Sequence, residues 1–251
     1  MLKHNLPSTL AVVFLLLIWQ FVCIIGLVPA YMLPSPVDVV WTFVSEWPLL
    51  WEHALITLQE AFVGLFFGVC IGFVAAILMD RFDLLYKAFY PLLIITQTIP
   101  SVAIAPLLVL WFGYEMLPKI ILIVISTFFP ITVGLLEGLR SADRDAIALL
   151  RSMGATQWQI YRYIKLPSAL PQFFSGLRIA AAYSVVGAVI SEWLGGFGGL
   201  GVYMTRVKKA FAFDKMFAVI FLISAISLLL MALVELAERK CMPYRNLDKK
   251  N

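Results

Sequence analysis

Ionisable side chains are scarce in this sequence, and those that interrupt long apolar runs mark where chemistry or recognition is possible. Glu60, Arg178 and Glu192 each lie within such a run. A charge in that setting is costly and usually faces a protein interior or water. Glu192, with Trp193 beside it, suits a gate at the end of an apolar segment; the alternative is an ordinary interfacial acid. Glu60 and Arg178 are of opposite sign and are expected to pair where their segments meet. Thr96-Gln97-Thr98 with Pro100 sets three hydrogen-bonding side chains beside a residue that cannot donate from its backbone. That combination suits a kinked polar wall past which a solute moves, or polar glue between helices. Thr127 with Pro130, and Tyr183 with Ser184, pose the same choice in two later runs. Bond-making chemistry has little support. His4 and His53 are the two histidines, and Cys23, Cys70 and Cys241 form no CxxC pair, so neither a disulfide frame nor a metal centre is implied. The glycine-rich run 195–201 lacks the lysine of a phosphate loop and reads as a flexible turn. No catalytic residue, no metal ligand and no cofactor are expected on this chain.

The elements that must position these residues are apolar helices. Of 251 residues, 62% are hydrophobic and 14% charged, against roughly half and a quarter in a soluble domain. A bilayer is the natural solvent, and a span needs roughly 20 apolar residues. The runs predict an all-α membrane protein of about six transmembrane helices in one domain, at 8–28, 53–79, 84–112, 117–139, 172–194 and 216–236. The first run is too long for an ordinary signal-peptide core and reads as a retained helix. The third is interrupted by Pro91, Pro100 and Pro106, the fourth by Pro130. Residues 29–52, with Trp41, Trp47 and Trp51 and no Lys or Arg, read as an external interfacial segment. Gly64, Gly68 and Gly72 form a small-residue ridge suited to close helix packing or to a dimer seam. With the N-terminus inside, thirteen of the nineteen Lys and Arg residues fall on cytoplasmic segments, which predicts a multi-pass inner-membrane protein with both termini cytoplasmic. Lys119 and the basic segment 206–215 fall outside. No basic stripe with interleaved aromatics appears, so a nucleic-acid partner is not expected.

Between the fourth and fifth runs the sequence turns polar. Residues 142–153 predict a helix with Ala146, Leu149, Leu150 and Met153 on one face and Arg144 and Arg151 off it. Gly154 stops it. Ala155 to Ile164 predict a second short helix, ended by Leu166-Pro167, with Pro171 ahead of the next span. Such an apolar face is buried on a membrane surface or in a partner's groove.

Gly154, nine residues, Ile164, one residue and Leu166-Pro167 resemble the cytoplasmic loop signature of permease subunits of binding-protein-dependent ABC importers. The Glu-Ala-Ala that opens that signature is replaced by Ala148-Leu149-Leu150, with Asp145 the nearest upstream acid. Thr98-Ile99-Pro100, Ala105-Pro106-Leu107, Leu110-Trp111-Phe112-Gly113, Ser191-Glu192-Trp193-Leu194-Gly195 and Gly199-Leu200-Gly201 are similar to the nitrate, sulfonate and taurine type of these permeases, the last two also to importers of thiamine-precursor pyrimidines. The resemblance implies a type I importer permease fold with residues 142–167 as coupling loop, Asp145 and Ala155 included. It implies a second copy of the chain as partner, two cytoplasmic ATPase subunits holding ATP and Mg, and an extracytoplasmic binding protein. Arg178 is the one cation expected within the spans, which favours a neutral or zwitterionic cargo such as a pyrimidine precursor over nitrate, sulfonate or taurine. An ATP-independent transporter would carry internal repeats with paired broken helices, and none is evident.

Overall fold

The computed structural model describes residues 2–29 and 32–242, with side chains at residue 7 and from residue 10 onward. The topology charges Arg245, Lys249 and Lys250, and the side chains of Lys3 and His4, lie outside the described residues. The chain is nearly all helix: α1 Leu2–Ile25, α2 Pro36–Ser45, α3 Trp47–Arg81, α4 Asp83–Thr98, α5 Ser101–Phe112, α6 Met116–Arg140, α7 Arg144–Ser152, α8 Gln157–Ile160, a π-helical turn Tyr161–Lys165, α9 Leu166–Trp193, α10 Leu200–Lys209 and α11 Phe213–Cys241. Among the described residues, four helices are long and apolar enough to cross a membrane: α3, α6, α11, and α9 together with the segment running into it from Gln157. The described apolar part of α1, Leu10–Ile25, is shorter. It packs on α11 through Trp19, whose ring lies 5.6 Å from Phe217 and 6.0 Å from Phe221.

The expected third span is a bent pair. α4 and α5 meet at 96°. Three prolines interrupt this run, yet the chain breaks at one of them. Ile99 and Pro100 are both extended, the conformation that proline imposes on its predecessor, whereas Pro91 and Pro106 sit inside helices. The Thr98 hydroxyl donates to the Ile95 carbonyl at 2.8 Å, satisfying an acceptor that the break leaves without its helical partner.

The expected external segment 29–52 contains a helix of its own. Ser35 and Asp38 cap α2 reciprocally, with the Ser35 hydroxyl 2.6 Å from the Asp38 carboxylate. α3 begins at Trp47, earlier than the apolar run suggested, and its 35 residues span about 52 Å, well beyond a hydrocarbon core of about 30 Å.

The scaffold is a slab of three helices with α6 in the middle. Gly64, Gly68 and Gly72 of α3 lie against Ile123, Thr127 and Ile131 of α6, so the glycine ridge is consumed inside the chain and is not a dimer seam. On the other side of α6, Gly138 meets Ala169 and Gly176 meets the Pro130 carbonyl. A methyl at Gly176 would run into that backbone oxygen, whereas one at Gly187 would make an ordinary 3.4 Å contact with Ile123. Gly176→Ala is expected to destabilise the protein by about 1–3 kcal/mol through overpacking, and Gly187→Ala to be near neutral, as read by thermal unfolding in detergent.

Candidate coupling loop and transport pathway

The polar stretch after α6 folds as a cap, a helix, a turn and a second cap. Asp143 accepts hydrogen bonds from the amides of Asp145 at 2.8 Å and Ala146 at 3.4 Å, which fixes the start of α7. Asp145 therefore supplies an amide to the cap and is not itself the capping acid. No residue of α7 is buried. Ala146 and Leu150 are half-buried, Ala148 is exposed, and Leu149 and Met153 are 62% and 73% exposed. Gly154 has φ +82°, and its amide donates to Arg151 while that of Ala155 donates to Leu150, both at 3.0 Å. This paired closure is the Schellman arrangement, and it needs a residue free to adopt positive φ. Thr156 and Gln159 then form a capping box, with the Thr156 amide 2.6 Å from Gln159 Oε1.

Leu166-Pro167 does not end the second helix. The chain runs from α8 through the π turn into α9, and the Leu166 amide donates to the Tyr161 carbonyl five residues back. That wider turn lets a proline enter at the head of α9 without forcing a stop. Leu166 packs with Tyr161, Ala169 and Leu139, and Ile164 is half-buried. Pro171 lies inside α9, so the fifth span begins earlier than expected. Asp80 lies in the last turn of α3. Its carboxylate, 2% exposed, accepts from the Tyr161 hydroxyl and from Lys165 Nζ at 2.6 Å.

Two cavities share a wall. One, about 270 Å³, is lined by Thr96, Gln97, Pro100, Ser101, Ser126, Tyr183 and neighbouring apolar groups. The other, about 340 Å³, is lined by Gln97, Pro130, Glu137, Gln172, Ser175 and Tyr183 among others. Gln97 and Tyr183 belong to both. The second reaches Glu137, one turn from the end of α6 where the polar loop begins. Of the residues expected on a pathway, Thr96, Gln97, Pro100, Pro130 and Tyr183 are gathered here. Thr98 is exposed on α4 and bonded to its own helix. Thr127 and Ser184 are fully buried, and their hydroxyls donate to the carbonyls of Ile123 and Ala181 at 2.8 Å each; they pack the slab and do not line either cavity. Ser126, Ser175 and Gln172 were legible only as polar residues in or beside apolar runs.

A third polar group sits at the opposite end of the slab from the loop. Glu60 pairs with Lys119, N to O 2.5 Å, both nearly inaccessible. The expected Glu60–Arg178 pair is absent because α6 sets Lys119 beside Glu60, while Arg178, midway along α9, meets Glu238 of α11 at 3.4 Å. Glu192, 1% exposed, accepts from the Thr57 hydroxyl at 2.7 Å and the Gly201 amide at 2.6 Å. Thr57 accepts from the Leu200 amide at 2.8 Å, and His53 Nδ1 from the Gly199 amide at 3.1 Å. The glycine-rich turn is thus held, not loose. Gly199 has φ +114°, and a Cβ there would collide with the Glu192 carboxylate. Trp193, beside it, is 45% exposed and outside the network. Among the described residues, no cluster of His, Cys, Asp and Glu suited to a metal ion occurs.

Residues 68–242 match the family described as binding-protein-dependent transport system inner membrane component. The chain is 39% identical to a formylaminopyrimidine transport permease protein of Halalkalibacterium halodurans, over 96% of both chains. It is 35% identical to a riboflavin transport system permease protein of Chloroflexus aurantiacus, over 94% of this chain and 88% of that one. Among solved structures it is similar to an inward-facing form of the MetNI methionine ABC transporter, with a TM-score of 0.66 at 23% identity, over 78% of this chain and 97% of that one. That likeness speaks to the fold.

Proposed function

Because this chain belongs to the family of binding-protein-dependent transport system inner membrane components, and so is a permease subunit of an ABC importer whose ATP is hydrolysed by a separate chain, we propose that it pairs with a second copy to carry a neutral nitrogen heterocycle, of the thiamine-precursor pyrimidine class, along the wall shared by the two cavities. The carrying observation is the chemistry of that wall. Thr96, Gln97, Ser101, Ser126 and Tyr183 supply hydroxyl and amide groups and a ring face, without a lysine or arginine. An amide and hydroxyls pair with ring nitrogens and exocyclic amines, and an aromatic face stacks on a flat ring. A sulfonate or nitrate calls for a cation, and the nearby cations are engaged elsewhere, Arg178 with Glu238 and Lys119 with Glu60. The two relatives described above are named for a pyrimidine and for riboflavin, which supports a flat heterocycle.

The α4–α5 corner leaves Ile95, Ile99 and Val102 about half exposed, and a second copy completes the wall there. The loop 142–167 docks on a cytoplasmic ATPase that binds ATP and Mg, an extracytoplasmic binding protein delivers the cargo, and both termini lie in the cytoplasm. The test uses single cysteines in a background without Cys23, Cys70 and Cys241, in the complex with its ATPase and binding protein. Gln97→Cys and Tyr183→Cys are expected to react with a water-soluble thiol reagent and to be protected by an aminopyrimidine. Ser184→Cys, fully buried, is expected to stay unreactive. Protection by an alkyl sulfonate and not by the pyrimidine would overturn the cargo assignment. Unreactive cysteines at 97 and 183 would overturn the pathway.

A further inference from the structure

Two polar clasps join α3 to α9, one at each end of the slab. At the end away from the loop, Thr57 of α3 donates to Glu192 of α9. At the loop end, Asp80 of α3 holds Tyr161 and Lys165, the two ends of the π turn that leads into α9. Between the clasps α6 fills the space, in glycine-close contact with both helices. α7, by contrast, buries no residue in the chain. A load applied at the loop therefore enters the bundle at the loop's two ends, the last turn of α6 and the π turn that follows α8. π turns are where helices are most easily re-aimed, and an unclasped one would absorb the load by bending.

We propose that Asp80 is a positioning residue for ATP-driven transport: by holding Tyr161 and Lys165, it makes the docking loop, α9 and α3 move as one body, so that loop displacement reaches the wall at Gln97 and Tyr183. This rests on the reading of residues 142–167 as the ATPase-docking loop. The Asp80 carboxylate is well placed for it. It is 2% exposed, it takes a hydroxyl and an ammonium at once, and the Lys165 ammonium also lies 5.0 Å from the centroid of the Tyr161 ring. Charge-assisted bonds of this kind are short and directional. The turn of α3 that leads to Asp80 is anchored through Ala76 and Met79, which share an apolar cluster with Leu135, Leu139 and Tyr161.

The experiment reconstitutes the whole complex in proteoliposomes and measures ATP hydrolysed per substrate taken up, with thermal unfolding alongside. Asp80→Asn keeps an acceptor for the tyrosine and loses the ion pair; Tyr161→Phe loses the hydroxyl. Both are expected to keep the ATPase bound and hydrolysis within about twofold of the parent, while uptake falls about tenfold or more, so the ratio rises. Lys165→Gln, at a partly exposed position, is expected to move the ratio the same way by a smaller factor, and serves if Asp80→Asn does not fold. Asp80→Glu is expected to restore much of the coupling. Hydrolysis and uptake falling together, or neither changing, would overturn the proposal. A parent complex that fails to bind its ATPase would instead sink the docking reading on which it rests.

Discussion

Leu149→Glu together with Met153→Glu is expected to abolish ATP-dependent uptake and to release the ATPase, with expression and helix content unchanged. The two side chains are 62% and 73% exposed on a helix with no buried residue, so the fold does not depend on them. Exposed large apolar groups on a short helix between two long apolar ones are the anchors that a partner's groove would bury. Interface anchors cost about 2 kcal/mol or more each on truncation, and adding a charge to a buried site costs further. Two such losses weaken docking by about a thousandfold. Co-purification of the ATPase from detergent reads this directly. Gly154→Val should act in the same direction for a different reason, since φ +82° is a genuine outlier for a β-branched residue and the Schellman turn would not close. An ATPase that stays bound to the double variant would place the docking surface elsewhere.

The second large effect lies in the Glu60–Lys119 pair. Lys119→Met would leave the Glu60 carboxylate, 4% exposed, without its counter-charge. Removing one partner of a buried pair costs about 3–5 kcal/mol, because the remaining charge is left uncompensated. Replacing both by apolar residues of similar volume removes the charge problem with the charge. The double variant Glu60→Leu with Lys119→Leu is therefore expected to unfold close to the parent temperature, and well above Lys119→Met. Equal losses in the single and double variants would mean that the pair contributes through packing, not charge. Thr57→Val tests the neighbouring link. It removes the donor to Glu192 and the acceptor for the Leu200 amide, and is expected to loosen the glycine-rich turn without unfolding α3.

These predictions draw on features of unequal legibility. The apolar runs around α3, α6, α9 and α11 are self-evident, since length and hydropathy decide spanning. The stop at Gly154 is equally plain, since glycine supplies the positive φ on which a helix ends. Which of three prolines breaks α4 from α5 is not local information. It depends on what the two halves pack against, α4 on α3 and α5 on α6. Nor is the continuation of the helix past Leu166-Pro167, because the π turn that accommodates it is held by Asp80, eighty-one residues before Tyr161. The charge pairs illustrate the limit most clearly. Glu60 has two cations of suitable type, Lys119 and Arg178, and spacing along the chain does not choose between them; helix registry does, by setting α6 rather than the middle of α9 beside Glu60. The same registry turns Thr127 and Ser184 into the slab and Tyr183 out of it. These neighbouring polar residues look equivalent as letters, and a rotation of about 100° per residue separates their fates.

The most direct measurement is uptake of a labelled aminopyrimidine into proteoliposomes holding this chain and its binding protein, with and without the ATPase. The account predicts uptake that requires the ATPase and hydrolysable ATP, and that disappears when residues 148–167 are scrambled. Uptake that persists without any ATPase would contradict it.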